Sequence, residues 1–229
     1  GNLSFANFLG TVVVSNGASV RLFTGVGIDG GGDNTIFQVE GNLFSRDVRN
    51  NRLGVLSGSG SIGNASFATP GNYPTMIIGA KNLSTTFSGI VGASNSIVKV
   101  GSGNLTLNGI SYSTNIVTLP DPFEPTNIVS FTLQSSRIGY IGSTTVSNGT
   151  LTIVAPNNLT NSASITLAGG TLDATQIGYA TNQTTLDYNS VEQATNTVVV
   201  TSGVVEILDG QSLNGQGSLL GSVTTAPTS

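Results

Sequence analysis

The sequence predicts an all-β chain wound as a parallel β-helix, that is, a β-solenoid. Three observations carry this: short alternating apolar runs from end to end, glycine-bearing turns between them, and the return of the same units along the chain. The runs include Thr11-Val12-Val13-Val14, Leu105-Thr106-Leu107, Leu151-Thr152-Ile153, Ile165-Thr166-Leu167 and Val204-Val205-Glu206-Ile207-Leu208. They are short and rich in β-branched residues, which fit a pleated, half-buried surface. Between them stand Asn16-Gly17, Asn108-Gly109, Asn148-Gly149 and Gly169-Gly170, which supply the positive φ of tight turns. No window carries a capped apolar stripe of helical period.

Repetition decides between a solenoid and a sandwich or barrel. Val14-Ser15-Asn16-Gly17 returns as Val146-Ser147-Asn148-Gly149 and, loosely, as Val200-Thr201-Ser202-Gly203. Leu56-Ser57-Gly58-Ser59-Gly60-Ser61-Ile62 returns as Leu213-Asn214-Gly215-Gln216-Gly217-Ser218-Leu219. At about 20 to 25 residues per rung and about 4.8 Å per step, the chain is expected to make roughly nine to eleven rungs over roughly 45 to 50 Å.

Composition agrees with stacked rungs. Gly contributes 31 of 229 residues, Asn, Ser and Thr together contribute 80, and charged residues only 8%, against about 25% in an ordinary domain. Equivalent side chains of adjacent rungs lie about 4.8 Å apart, so like charges would repel while neutral groups can hydrogen-bond along the axis. Mean hydropathy is +0.19 and net charge −4, so the chain is expected to fold rather than stay disordered.

The same composition excludes several chemistries. With no Cys, His or Trp there is no thiol nucleophile, disulfide, His-based triad or Cys/His metal site. Seven scattered basic residues give no footprint for nucleic acid. Apolar runs such as Val198-Val199-Val200 are too short to span a bilayer, so no transmembrane segment is expected. The chain opens at Gly1 rather than Met and reads as a piece processed from something longer.

Two stretches resemble a known family. Ser96-Ile97-Val98-Lys99-Val100-Gly101-Ser102-Gly103-Asn104-Leu105-Thr106-Leu107-Asn108-Gly109 resembles the opening of the autotransporter-associated β-strand repeat, in which a Lys, paired glycines and alternating leucines fall in order. Its closing half resembles Tyr140-Ile141-Gly142-Ser143-Thr144-Thr145-Val146-Ser147-Asn148-Gly149-Thr150-Leu151, and Thr85 to Gly89 and Gly210 to Val223 resemble its flanks. An insertion at about 110–137 separates the halves and is expected to project from a single domain over 1–229. The resemblance implies a right-handed parallel β-helix, secreted or displayed on a bacterial cell surface as stalk, passenger or adhesive rod. Lys99 is expected to anchor a turn.

Residues with possible chemistry are few. Asp29 and Asp33, in Gly27-Ile28-Asp29-Gly30-Gly31-Gly32-Asp33-Asn34, are candidate calcium ligands, although a glycine-rich turn with solubilising acids is the favoured reading. Asp121 and Glu124 lie in Pro120-Asp121-Pro122-Phe123-Glu124-Pro125, which reads as a stiffened exposed loop. Arg46, Arg49 and Arg52 offer an anion or sugar contact, or pair with acids such as Asp47 or Glu40. Tyr112, Tyr140, Tyr179 and Tyr188 would form a carbohydrate-stacking face only if the rungs align them.

The expectation is therefore a non-enzymatic extracellular structural or adhesive solenoid without cofactor. It self-associates head to tail through Leu3, Phe5 and Phe8 at one end and Leu219 and Val223 at the other. Its partners are copies of itself and surface glycans. The alternative is a β-helix that binds or cleaves polysaccharide.

Overall fold

The computed structural model describes residues 5–22, 30–45, 50–64, 73–92, 94–119, 127–136, 139–154, 159, 162–186, 192–201, 204–207 and 211–225, and for 64, 110–119, 127–136, 178–186, 192–201, 204, 206 and 225 it describes backbone only. Among these residues there is no helix, and so none long and apolar enough to cross a membrane.

The strands form successive tiers. The first holds β1 (Thr11–Val14) and β2 (Ser19–Leu22), the second β3 (Gly30–Val39) and β4 (Asn42–Ser45), the third β5 (Asn50–Ser57) and β6 (Ser61–Asn64). The fourth holds β7 (Thr75–Ile78), β8 (Thr85–Phe87) and β9 (Ile90–Val91), and the fifth β10 (Ser96–Lys99) and β11 (Asn104–Leu107). After β11 the chain departs into a hairpin of β12 (Ile110–Leu119) and β13 (Asn127–Ser136), then returns as β14 (Thr144–Val146) and β15 (Thr150–Ile153) in the sixth tier. The seventh holds β16 (Ile165–Leu167), β17 (Thr171–Asp173) and, after a second hairpin of β18 (Gly178–Leu186) and β19 (Glu192–Thr201), β20 (Val204–Ile207). The eighth is β21 (Leu213–Gly215), β22 (Ser218–Leu220) and β23 (Ser222–Thr225).

One strand from every tier joins an eight-stranded sheet, β1-β3-β5-β7-β10-β14-β16-β21, in which every pairing is parallel. Two more parallel sheets, β2-β4-β6-β9 and β8-β11-β15-β17-β22, and the parallel pair β20-β23 lie beside it. The protein is thus all-β with long parallel sheets. Eight strands make seven steps of about 4.8 Å, an axis of roughly 34 Å. Among the described residues this is fewer than the nine to eleven rungs expected, because β12, β13, β18 and β19 leave the parallel stack.

Those excursions meet. The two hairpins pair through β13 and β18, from Ile128 opposite Leu186 to Thr132 opposite Asn182, giving an antiparallel sheet β12-β13-β18-β19. The expected insertion is therefore a hairpin. Its second partner occupies residues expected to form a rung, and Val200, read as a recurrence of Val14, lies in antiparallel β19.

Register makes the core. Leu105, Leu151, Leu172 and Leu219 stack at one position of β11, β15, β17 and β22, and Val20, Leu43, Ile62 and Val91 at one position of β2, β4, β6 and β9. Alternation within each strand sends these side chains inward, and all are buried except Val20 and Leu219 in the end tiers, which are partly buried against the core. Small polar residues tie tier to tier: Ser102 N–H donates to Asn82 Oδ1 and Asn104 N–H to Ser84 Oγ at the surface, and buried Thr152 Oγ1 donates to Asn104 Oδ1 at 3.0 Å.

The repeated Gly-x-Gly unit is a corner at which tiers nearly touch. A Cβ on Gly58 (φ +107°) would lie 2.2 Å from the Val39 carbonyl oxygen, and one on Gly215 (φ +123°) 2.0 Å from that of Leu167. The following glycines repeat the relation, Gly60 against the Gly41 carbonyl and Gly217 against that of Gly170, each at 2.2 Å. Only glycine permits this approach with this backbone.

Candidate assembly surfaces

At the N-terminal end, residues 5–8 make a turn in which Phe8 N–H donates to the Phe5 carbonyl. Thr35 Oγ1 in the second tier lies 3.1 Å from the Phe5 carbonyl oxygen and 2.8 Å from that of Phe8, which anchors the turn over the stack. The Phe5 ring meets Phe37 edge-on, centroids 5.7 Å apart, and Phe8 packs edge-on against Phe5 at 6.1 Å. Of the residues expected to join copies, Leu3 lies outside the described residues, Phe8 is exposed, and Phe5 is partly buried on its own chain's core. Two further apolar side chains stand out here, Leu9 at 73% and Val13 at 56% exposed. For Val13 the signal was present in the alternation of Thr11-Val12-Val13-Val14, in which Val12 and Val14 turn inward.

At the other end, Leu219 is partly buried as the last residue of its leucine column, whereas Val223 is 39% and Leu220 48% exposed. Leu220 is readable as the outward neighbour of Leu219. The terminal strands have one paired side each: β1 only with β3, β21 only with β16, β22 only with β17, among the described strands. A parallel strand alternates which side its N–H and C=O groups face, so each end presents a row of donors and acceptors that a further parallel strand satisfies.

The flank carries a second feature. Turns of the first three tiers enclose an open polar cavity of about 430 Å³, lined by Asn16, Glu40, Asn42, Ser59 and Ser61 over a glycine floor. Glu40 Oε2 accepts both Ser59 Oγ–H at 2.6 Å and Ser59 N–H at 3.1 Å. These bonds, the side-chain one foremost, hold its carboxyl below the usual range.

The other two carboxylates with described side chains, Asp33 and Asp173, are engaged. Arg52 Nη1 lies 3.2 Å from both oxygens of Asp33 in the adjacent tier, so Arg52 pairs with Asp33. Asp173 Oδ1 accepts Thr175 N–H and Oγ1–H. Asp29, Arg46, Asp47, Arg49, Asp121, Glu124 and Tyr188 lie outside the described residues. Among the described residues no three acids or other ligands converge as a metal site.

Tyr140 does not belong to an exposed stacking face, since it is fully buried. Its hydroxyl lies 2.6 Å from Thr144 Oγ1, which is 2.8 Å from Ser162 Oγ. Ser162 donates to the Gly142 carbonyl, so the chain of donors runs Tyr140 to Thr144 to Ser162. Burial pushes the phenol pKa up. Tyr112 lies opposite Gln134, and Tyr179 opposite Val200, in the antiparallel sheet.

Lys99 anchors turns, as expected. It points inward between Ile78 and Val146, is 1% exposed, and donates to the carbonyls of Val100 at 2.6 Å, Gly101 at 2.8 Å and Asn148 at 3.3 Å. Burial lowers its pKa to about 8.

The chain matches no family model, and neither a curated protein nor a solved structure matches it.

Proposed function

We propose that the chain is a right-handed parallel β-solenoid serving as a non-enzymatic structural or adhesive element of a bacterial surface, joined head to tail into a fibre. The observation that carries this reading is the eighth tier, whose strands are paired on one side only and bear exposed Leu220 and Val223. The first tier supports it with a one-sided β1 and exposed Phe8, Leu9 and Val13. A further copy seated on either end continues the parallel pairing and covers apolar surface at once, and a contact that does not close on itself gives a filament. The surface role rests on the resemblance of residues 96–109 and 140–151 to the autotransporter-associated repeat. The non-enzymatic role is supported by the three carboxylates whose side chains are described, Asp33, Glu40 and Asp173, each held by a neighbour.

Sedimentation and negative-stain electron microscopy at rising concentration test it. Head-to-tail joining gives rods that lengthen with concentration, and Leu220→Asp with Val223→Asp raises the concentration needed at least about tenfold, since each apolar group removed from water is worth about 1 kcal/mol or more. Single particles at every concentration would sink the fibre. A polysaccharide-binding role is the second reading, favoured by the polar cavity around Glu40; saturable oligosaccharide binding by such single particles would put it first.

A further inference from the structure

The turn between β14 and β15 carries Asn148-Gly149. Gly149, at φ +64°, donates its N–H to Asn148 Oδ1 at 2.7 Å. Because Cγ is one bond from that oxygen, the Gly149 nitrogen lies against the carbon of the Asn148 side-chain amide. From within the stack, Lys99 Nζ donates to the main-chain oxygen of Asn148, the oxygen of the same peptide unit that contains this nitrogen. Asn148 itself is exposed to water.

The geometry points to Asn148 as a site of spontaneous chemical modification, at which the Lys99 ammonium promotes closure of the side chain onto Gly149 nitrogen to form a succinimide. Hydroxide takes the Gly149 N–H proton, and the negative charge of the resulting amidate rests largely on the Asn148 main-chain oxygen, where the ammonium sits. A fixed donor at a developing oxyanion lowers the barrier to forming it. The nitrogen attacks Cγ and a C–N bond forms. The Cγ–Nδ2 bond then breaks and the amide nitrogen leaves, protonated by water, as ammonia. Water opens the five-membered imide at either carbonyl to give aspartate or isoaspartate, so amide plus water becomes acid plus ammonia with no change of oxidation state.

The residues packed around Lys99 leave its charge as the only one there among the described residues. Ile78 and Gly79 precede it, Val146 and Asn148 follow it, and Val100 and Gly101 adjoin it, all uncharged. Lys81, on the turn after β7, reaches instead to the Asn34 carbonyl. Modification matters at this turn because a Cβ on Gly149 would lie 2.4 Å from the Gly101 oxygen and 2.5 Å from that of Gly103. Isoaspartate lengthens the main chain by a methylene immediately before Gly149, whose own backbone is packed this closely against the neighbouring tier.

The chain carries its own controls in Asn16-Gly17 and Asn108-Gly109, the same dipeptide with both described lysines donating elsewhere. Peptide mass spectrometry of the folded protein, aged at neutral pH and resolved for isoaspartate, is expected to show Asn148 converting at least about tenfold faster than Asn16, a conservative threshold beside the about hundredfold that one preorganised donor supplies. Lys99→Met removes that excess and leaves Asn16 unchanged. Should that variant fail to fold, the unaltered protein decides: the ratio of the Asn148 rate to the Asn16 rate falls as pH passes about 8 and Lys99 loses its proton, and disappears in denaturant. Equal rates at Asn148 and Asn16 in the folded protein, or a ratio indifferent to pH and unfolding, would overturn the proposal.

Discussion

A missing Cβ does different things at different corners of this chain. At Gly58 it lets the backbone sit against the Val39 carbonyl with φ at +107°, while at Gly17, with φ at +78°, nothing lies within 4 Å of where a Cβ would be. Alanine at Gly17 therefore meets only the left-handed backbone penalty, about 1 kcal/mol. Alanine at Gly58 must also push neighbouring tiers apart and is expected to cost about 3 kcal/mol or more. Urea denaturation of the two variants side by side measures the difference. The sequence displayed this corner, since Leu56 to Ile62 and Leu213 to Leu219 are matching units that fold alike. Lys99 was likewise legible as a turn anchor, but that it sits inside the apolar stack was not, because a strand's two faces look identical until the core side is known. Its titration makes a second residue-scale prediction. Folded Lys99 loses its proton near pH 8, the unfolded lysine near about 10.4, so between these values the unfolded chain binds more protons and stability rises with pH. Tyr140 acts oppositely: its folded pKa lies above the ordinary value of about 10, so above that pH unfolding releases a proton and stability falls. Melting temperature followed by circular dichroism should climb from pH 8 to about 10 and then drop, and Lys99→Met should lose the climb alone.

The strand columns behave as elements with a middle and an end. Leu151 has a leucine above and below it, whereas Leu219 has Leu172 on one side and solvent on the other. Truncating Leu151 to alanine leaves a cavity in closed packing and is expected to cost about 3 kcal/mol, while Leu219→Ala should cost about 1 kcal/mol or less. Equal losses in guanidinium titrations would show that the terminal tier is as well packed as the central one. The alternation that builds these columns was plain in the sequence, as was the departure at Ile110, because it interrupts a recognisable repeat. The departure at Gly178 was not. Its strands alternate much as the tier strands do, and whether such a strand pairs parallel or antiparallel is decided by distant neighbours rather than by its own residues.

At the scale of the molecule, the described residues form fewer tiers than the chain length allows because two hairpins are spent on the antiparallel sheet. The ends were recognisable from apolar, strand-capable residues, yet Phe5 faces its own core through Phe37 and Leu9 faces water. Sequence marks which residues are apolar; the first and last tiers decide which of them remain uncovered. Among the clustered acids and arginines that invited chemistry, Arg52 and Asp33 resolve into a pair across adjacent tiers, a relation set by the stacking distance rather than by sequence proximity.

A stack held only by neighbouring tiers would peel from its tip like a strip of tape. The pairing of β13 with β18 forbids this, because it joins a segment leaving the fifth tier to one leaving the seventh and so straps the sixth between them. Pulled by its C-terminal end, the molecule surrenders β21 to β23 first and then meets a latch, so that its interior yields as one block under tension where a plain coil would unwind turn by turn.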